Sequence, residues 1–283
     1  MTAGLPSECL HQLIHMALEE DLDGAGDITS DAIFSGQHGR ARIIAKAAGV
    51  LAGAEVAREV FITVDPELDV RLEVADGQSV SVGQPVIRVQ GKVRSLLRAE
   101  RTALNFLGRL SGIATLTSRF VEAAAGTDCR ILDTRKTTPG YRALEKYAVR
   151  IGGGHNHRMG LYDMVLIKDN HIAAAGGIRP AVEKVRRYLK EKKITAQIEV
   201  EAANLQQVQE ALKMNVDRIL LDNMSLEQLR KAVKMAGRRV LLEASGNMTL
   251  DRVRAVAEVG VDFISVGALT HSARALDFSM QME

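Results

Sequence analysis

The sequence has no tryptophan, and aromatic residues make up only 4% of its 283 positions. Its interior must therefore be aliphatic, assembled from Ala, Val, Leu and Ile. Cysteine is scarce as well: Cys9 and Cys129 are the only two. They form no disulfide framework and have no metal-binding spacing, so they read as small buried hydrophobes. Charge of either sign is barely in excess. The net charge is +2, and the chain lacks the basic excess that general nucleic-acid binding would need. No stretch approaches the ~18 uninterrupted apolar residues of a membrane span. Met1 to Glu20 has no continuous apolar core and carries His and Glu, unlike a secretory signal. The expectation is a cytoplasmic protein with no membrane or nucleic-acid partner.

What is present fits an ordinary globular protein, with 46% hydrophobic and 25% charged residues. The length suits one large domain or two unequal ones. Leu10, Leu13, Ile14, Ala17 and Leu18 have helical spacing, and an acidic loop follows. In Gly26-Asp-Ile-Thr-Ser30, Thr29 or Ser30 is expected to cap a short turn. Arg40 to Lys46 and Val70 to Val74 alternate in hydropathy, and Pro85 to Gln90 ends at a glycine. These runs predict a small antiparallel sheet. Glu55 to Val64 lies between them as a helix, and Leu96 to Ala125 as a long one.

Beyond residue 125 a different texture repeats. Short apolar runs recur at Arg130–Asp133, Met164–Lys168, Gln197–Glu201, Arg218–Asp222, Val240–Glu243 and Phe263–Gly267, each ending in a charged or small residue. Glu201 to Asp222 is 21 residues, Asp222 to Glu243 is 21, and Glu243 to Gly267 is 24. Amphipathic segments, such as Asn204–Met214 and Ser225–Ala236, fill the intervals. This is a repeated βα unit with strands buried on both faces. Six units suggest a parallel (β/α) barrel, incomplete, more than a doubly wound sheet, because no glycine-rich dinucleotide fingerprint follows the first strand.

In such a barrel the C-terminal strand ends converge on one face, where the chemistry sits. Here those ends deliver Asp133-Thr134-Arg135-Lys136, Lys168-Asp169-Asn170-His171, Glu199 and Glu201, Asp222-Asn223, Glu243-Ala-Ser245-Gly246-Asn247, and Gly267-Ala268. A single charge there reads equally well as a rim salt bridge. So many together must bind something charged. Arg135 suits bidentate recognition of carboxylate or phosphate, and Lys136 and Lys168 act as point charges. Glu201 and Asp222, acids within a basic field, suit sugar hydroxyls or a hard divalent cation such as magnesium. The loops at Ser245–Asn247 and Gly267–Leu269 lie where barrels hold phosphate. In Gly152-Gly-Gly-His155-Asn-His157-Arg158, the His-x-His pair is a weak zinc signal without a third ligand. An anion-binding loop, with His157 and Arg158 as donors, is the better reading. Together these point to a phosphorylated sugar substrate.

The same motifs closely resemble the quinolinate phosphoribosyltransferase family. The resemblance runs through Gly26–Thr29, Glu100–Asn105, Asp133–Gly140, Gly152–Arg158, Ile167–His171, Glu199–Glu201, Leu221–Asn223, Glu243–Gly246 and Ser265–Gly267. It implies an α/β protein: an N-terminal α+β open sandwich domain (residues 1–112), an incomplete barrel (113–270) and a C-terminal tail (271–283) packing back on the first domain. It implies a homodimer with shared active sites, in which the sandwich domain of one subunit covers the other's barrel mouth. Arg135, Lys136, His157, Arg158 and Lys168 would line a quinolinate pocket, with Thr134 beside them and Arg101 supplied by the partner. Glu201 and Asp222 would address the ribose and, indirectly, the magnesium of phosphoribosyl pyrophosphate. Ser245, Gly246, Asn247 and Gly267 would take the phosphate end, and Lys136, Lys168, Glu201 and Asp222 would carry catalysis. No organic cofactor is implied. A molybdenum-transport-associated paralogue family shares the architecture, but the full cation set favours a dicarboxylate acceptor. The turn pattern at Val74–Val86 resembles a lipoyl or biotinyl hairpin but has no lysine at its tip.

Overall fold

The computed structural model describes residues 7–283. The first elements in chain order are α1 (Ser7–Leu22), α2 (Ile28–Ile33), β1 (His38–Ala45), β2 (Gly49–Val50), α3 (Ala54–Val64), β3 (Asp69–Leu72), β4 (Ser79–Val80), β5 (Pro85–Lys92) and α4 (Val93–Ala123). Asp27, rather than Thr29 or Ser30, caps α2: its carboxylate accepts from both of their backbone N–H groups, because the cap must precede the donors it satisfies. Then come β6 (Arg130–Leu132), α5 (Arg142–Ile151), β7 (Val165–Ile167), α6 (Asp169–Ala175), α7 (Ile178–Lys192), β8 (Ile198–Ala202), α8 (Leu205–Lys213), β9 (Arg218–Asp222), α9 (Leu226–Ala236), β10 (Leu241–Ser245), α10 (Leu250–Ala257), β11 (Phe263–Ser265), α11 (Ala268–His271) and β12 (Phe278–Met282). No helix among the described residues is long and apolar enough to cross a membrane.

Two compact units result. One comprises the chain up to Ser118 with Thr138–Gly153 and Ser272–Glu283; the other comprises Arg119–Thr137 and Gly154–His271. The expected boundary at 112/113 falls inside the continuous helix α4, and α5 joins the first unit. Local contacts explain α5's allegiance. Tyr147 Oη donates to Asp76 at 2.6 Å, and Arg109 pairs with the buried Glu145 at 2.6 Å. The rings of Phe106 and Tyr141 stack 5.7 Å apart.

The first unit's main sheet has the order β12-β1-β5-β3, antiparallel throughout, with Ile43 opposite Ile87 on one side and Met280 on the other. The alternation in β1, β3 and β5 marked those strands; β12 carried no comparable signal in the sequence. It is held by pairing with β1 and by the approach of its preceding segment to α4. Gly108 and Gly112 make that approach possible. Leu276 N–H donates to Gly108 O at 2.9 Å. A Cβ on Gly112 would run into the Arg274 carbonyl.

The second unit is a six-stranded parallel sheet in the order β6-β11-β10-β9-β8-β7, flanked by helices. Each neighbour is paired except β6 with β7, so this is a barrel left open at one seam. On the seam edge of β6, Leu132 forms a parallel bridge with His155. Helices α8 and α9 start where the sequence provides caps. Asn204 accepts from Gln207 N–H, and Ser225 and Gln228 cap α9 reciprocally.

Gly112→Ala should lower stability by ~1–3 kcal/mol, the usual cost of overpacking, because the tail backbone must retreat from α4. Urea unfolding of the variant against wild type checks this. An unchanged midpoint would show that the tail yields freely.

Candidate active site

Side chains alternate along a strand, so one set from each barrel strand points inward. From β8 these are Glu199 and Glu201, from β9 Arg218, Leu220 and Asp222, from β10 Glu243 and Ser245, and from β11 Ser265. Above them opens a cavity of about 690 Å³. Its walls include Thr134, Arg135, Lys136, His157, Arg158, Lys168, Glu201, Asp222, Ser245, Gly246, Asn247 and Gly267. Every second-unit residue singled out as a site residue is thus gathered in one pocket. Arg101 is not among them: it stands exposed on α4, in the first unit.

The cation side is built on β6, β7 and the loop between them. Buried Asp133, just past β6, accepts the backbone N–H of His157 at 2.8 Å and the Asn156 amide at 2.5 Å. The glycine-triplet loop is therefore anchored, not loose. Arg158 Nη1 donates to Met164 O at 3.1 Å. Burial, and then the neighbouring charge of Arg135, hold the Arg158 guanidinium below its ordinary pKa. Two guanidinium groups close enough to repel call for an anion between or before them. Lys136 N–H donates to Thr134 Oγ1, and Lys136 O accepts from Thr270 Oγ1, so that loop too is tied down. Lys168 N–H donates to His171 Nδ1 at 3.0 Å. Asp169, Asn170 and His171 begin α6 behind Lys168, outside the pocket wall.

The acid side holds Glu201, whose Oε2 stands 4.0 Å from Lys168 Nζ, and Asp222. Burial raises the Glu201 carboxyl above its ordinary value, with Lys168 opposing. Asp222 is oriented by a short chain of amides: Asn247 Nδ2 donates to Asn223 Oδ1 at 3.2 Å, and Asn223 Nδ2 donates to Asp222 Oδ2 at 2.9 Å. Asn223 adopts φ +52° and Gly246 φ +93°, and a Cβ on Gly246 would collide with the Asn223 amide. A glycine is required there. Gly267 similarly packs against the Lys136 stem and the ring of His271.

Below the pocket lies a layer the sequence left undecided. Glu199 and Glu243 are both fully buried. His157 Nε2 stands 3.1 Å from Glu199 Oε2 and 3.5 Å from Glu243 Oε2. Arg218 Nη1 donates to Glu243 Oε2 at 2.9 Å and its guanidinium lies 4.2 Å over the Phe263 ring. Desolvation pushes both carboxyls up to about 7, aided at Glu243 by the Glu199 charge and opposed by His157 and Arg218. His157, Glu199 and Glu243 bring three ligand atoms within 4.8 Å of one another, but Arg218 already occupies one Glu243 oxygen, which favours an ion-paired cluster. His155, the other half of the His-x-His pair, is exposed and outside this cluster. Sequence reasoning also missed His271 and Ser265 as pocket residues. Ser265 carried a strand-face signal; His271, at the end of the four-residue α11, carried none. The cysteines are free but only half-buried, not the core hydrophobes the sequence suggested; partial burial still raises the Cys129 thiol to about 12, leaving it inert at neutral pH.

The sign of the Glu243 shift yields a test. The unfolded carboxyl loses its proton near its ordinary value, whereas the folded one holds it to about 7. Folding stability is therefore present at acid pH and lost as pH rises through that window, on the order of 2–3 kcal/mol in all. Glu243→Gln has no proton to lose, so its urea midpoint relative to wild type should climb from pH 5 to 7 and level off above. A gap independent of pH would mean that the carboxyl is ionised throughout.

Comparison with known proteins agrees with this geometry. The model of the quinolinate phosphoribosyl transferase N-terminal domain matches residues 27–111, and that of the C-terminal domain matches residues 113–281. The chain is similar to quinolinate phosphoribosyltransferase [decarboxylating] 1b of Nicotiana tabacum, 43% identical over 98% of this chain and 83% of that one. It is 42% identical to a probable nicotinate-nucleotide pyrophosphorylase [carboxylating] of Bacillus subtilis, over 96% and 93% of the two chains. The solved nicotinate-nucleotide pyrophosphorylase of Francisella tularensis superposes with a TM-score of 0.94 at 40% identity, covering 99% of this chain and 98% of that one. With both domain models matched in order and a barrel pocket lined by the expected cations and acids, the chain belongs to the quinolinate phosphoribosyltransferase family.

Proposed function

We propose that the barrel pocket is where this chain carries out its family's reaction, joining quinolinate and phosphoribosyl pyrophosphate to give nicotinate mononucleotide, pyrophosphate and carbon dioxide for NAD synthesis. The observation that carries the assignment is the division of one cavity into a cation wall (Arg135, Lys136, Arg158, Lys168) and an acid wall (Glu201, Asp222). Quinolinate is a dianion and needs several cations, while a ribosyl group that gains positive charge as it reacts needs nearby carboxylates. Arg135, Arg158 and Lys168 take the acceptor's carboxylates, and Thr134 supports the loop that carries Arg135 and Lys136. His157 lines the pocket but, contrary to the expectation from sequence, does not donate to the acceptor: its two ring nitrogens are turned to Arg158 N–H and to Glu199 and Glu243. Glu201 and Asp222 hold the ribose hydroxyls. Ser245, Gly246, Asn247 and Gly267 receive the phosphate.

The ring nitrogen bonds to the anomeric carbon as the carbon–oxygen bond to pyrophosphate breaks. Lys136 and Lys168 offset the charge gathering on the leaving oxygen. The nitrogen, now quaternary, draws electron density from the adjacent ring carbon, whose carboxylate departs as carbon dioxide and leaves its electron pair behind. A proton then replaces it. The donor set on the acid wall, two carboxylates with hard oxygens, fits magnesium carried in by the phosphoribosyl donor, which when bound neutralises pyrophosphate charge. No organic cofactor takes part. The site is completed in a homodimer by Arg101 of the second copy, an exposed cation on α4. We place the reaction in the cytoplasm, where free cysteines persist.

Purified protein given quinolinate, phosphoribosyl pyrophosphate and magnesium should form nicotinate mononucleotide, and should not use nicotinate in place of quinolinate. Absence of turnover by folded protein would sink the assignment. Lys136→Ala and Arg101→Ala should each lose at least ~100-fold in kcat/KM, in line with loss of an electrostatic stabiliser. Mixed and reassembled, the two inactive variants should recover about a quarter of wild-type activity, since half the dimers then carry one intact site of two. No recovery would remove the shared-site dimer.

A further inference from the structure

The reaction described above leaves Glu199 and Glu243 without a task, yet both are fully buried directly beneath the acceptor side of the pocket. Among the described residues, neither Glu199 oxygen nor Glu243 Oε1 makes a hydrogen bond, so Glu199 meets His157 through charge and proximity alone. Burying carboxylates in this way lowers stability, and a well-packed neutral pair would generally serve the fold as well or better. Local choices that run against stability gather at functional sites.

The contacts show what the pair acts upon. His157 is held at three points. Its Nε2 lies 3.1 Å from Glu199 and 3.5 Å from Glu243. Its Nδ1 accepts the Arg158 backbone N–H at 2.7 Å, and its own backbone N–H donates to Asp133 at 2.8 Å. The imidazole thus bridges the buried carboxylates and the peptide from which the Arg158 side chain departs. Arg158, pinned by Met164 O at 3.1 Å, lies near enough to Arg135 for their charges to repel. Arg218 Nη1 donates to the same Glu243 oxygen, Oε2, that faces His157, and so holds that oxygen in place.

We propose that Glu199 and Glu243 are positioning residues for the acceptor. They grip His157 by its Nε2 and so fix the 157–158 peptide and the direction of Arg158. The consequence is selective: the pair governs quinolinate binding and leaves the phosphoribosyl donor, held by β8, β9, β10 and β11 end residues, alone. This rests on the acceptor occupying the His157–Arg158 side of the pocket.

The test is steady-state kinetics with both substrates varied, on Glu199→Gln, Glu243→Gln, His157→Asn and the double variant Glu199→Gln/His157→Asn, together with thermal melts. We expect Glu199→Gln to raise KM for quinolinate roughly tenfold, as loss of one charge-assisted contact does, with KM for phosphoribosyl pyrophosphate little changed. Its melting temperature should equal or exceed that of wild type, which a merely structural role would not produce. The double variant should be no worse than His157→Asn alone, because the carboxylate acts through the ring. Glu243→Gln should show the same split. Additive losses, an equal rise in both KM values, or a lowered melting temperature in both Gln variants would overturn the proposal. So would a metal ion retained by dialysed wild type and lost from Glu199→Gln, since the cluster would then be a metal site. If His157→Asn itself leaves quinolinate KM unchanged, the placement of the acceptor fails instead, a result distinct from failure of the Glu199 and Glu243 proposal.

Discussion

Charge buried inside a parallel barrel has to be matched by other charge, and that requirement organises the second unit from its floor to its mouth. Glu199 and Glu243 have no access to water. They are bearable only because Arg218 and His157 stand within ion-pairing distance. His157 is in turn fixed by Asp133, which ties the loop after α5 to the end of β6. The cations above are fixed by the same framework: Arg158 follows His157 in the chain, and Arg135 and Lys136 follow Asp133 by two and three positions. A pocket for a dianion is thus assembled on a layer of buried carboxyl groups. Each layer limits the electrostatic cost of the next.

The acid wall relies on a different device. Asp222 ends β9, and the backbone turns at once through Asn223 in the left-handed region. Asn223 then hands its amide back to the Asp222 carboxylate. Gly246 leaves the room for this turn, and Asn247 closes the chain of amides. Two adjacent strand ends therefore share one piece of support, so the group that holds the sugar and the loop that receives the phosphate are set by common contacts. Rigid placement of this kind is what transfer chemistry requires, since most of the barrier is met by orientation and fixed charge.

Much of the architecture was legible in the residues. The six apolar runs after residue 125 are the six barrel strands, with ends displaced by one or two positions, and the period of about 21 residues reflects a strand, a helix and two short turns. Glu199 and Glu201, two apart, do share a strand face. The pocket gathered Thr134, Arg135, Lys136, His157, Arg158, Lys168, Glu201, Asp222, Ser245, Gly246, Asn247 and Gly267 because strand ends in such a barrel converge whatever the loops do. Less was visible where no period operates. β12 has neither marked alternation nor turn chemistry; its strand character comes from pairing with β1. His271 enters the pocket from a helix of a single turn, too short to leave a pattern.

The local order of the chain determined which segments are helix and which are strand, and which charges must meet at the strand ends, because hydropathy period and strand alternation are properties of neighbours in sequence. Only the tertiary structure decided what those charges do. His155 and His157 look alike in the sequence, two residues apart in one glycine-rich loop. One is exposed, and the other is clamped between carboxylates from β8 and β10, 42 and 86 residues further along. Burial and distance to partners from distant strands set the protonation and the orientation of an ionisable group, and neither is written in its immediate surroundings.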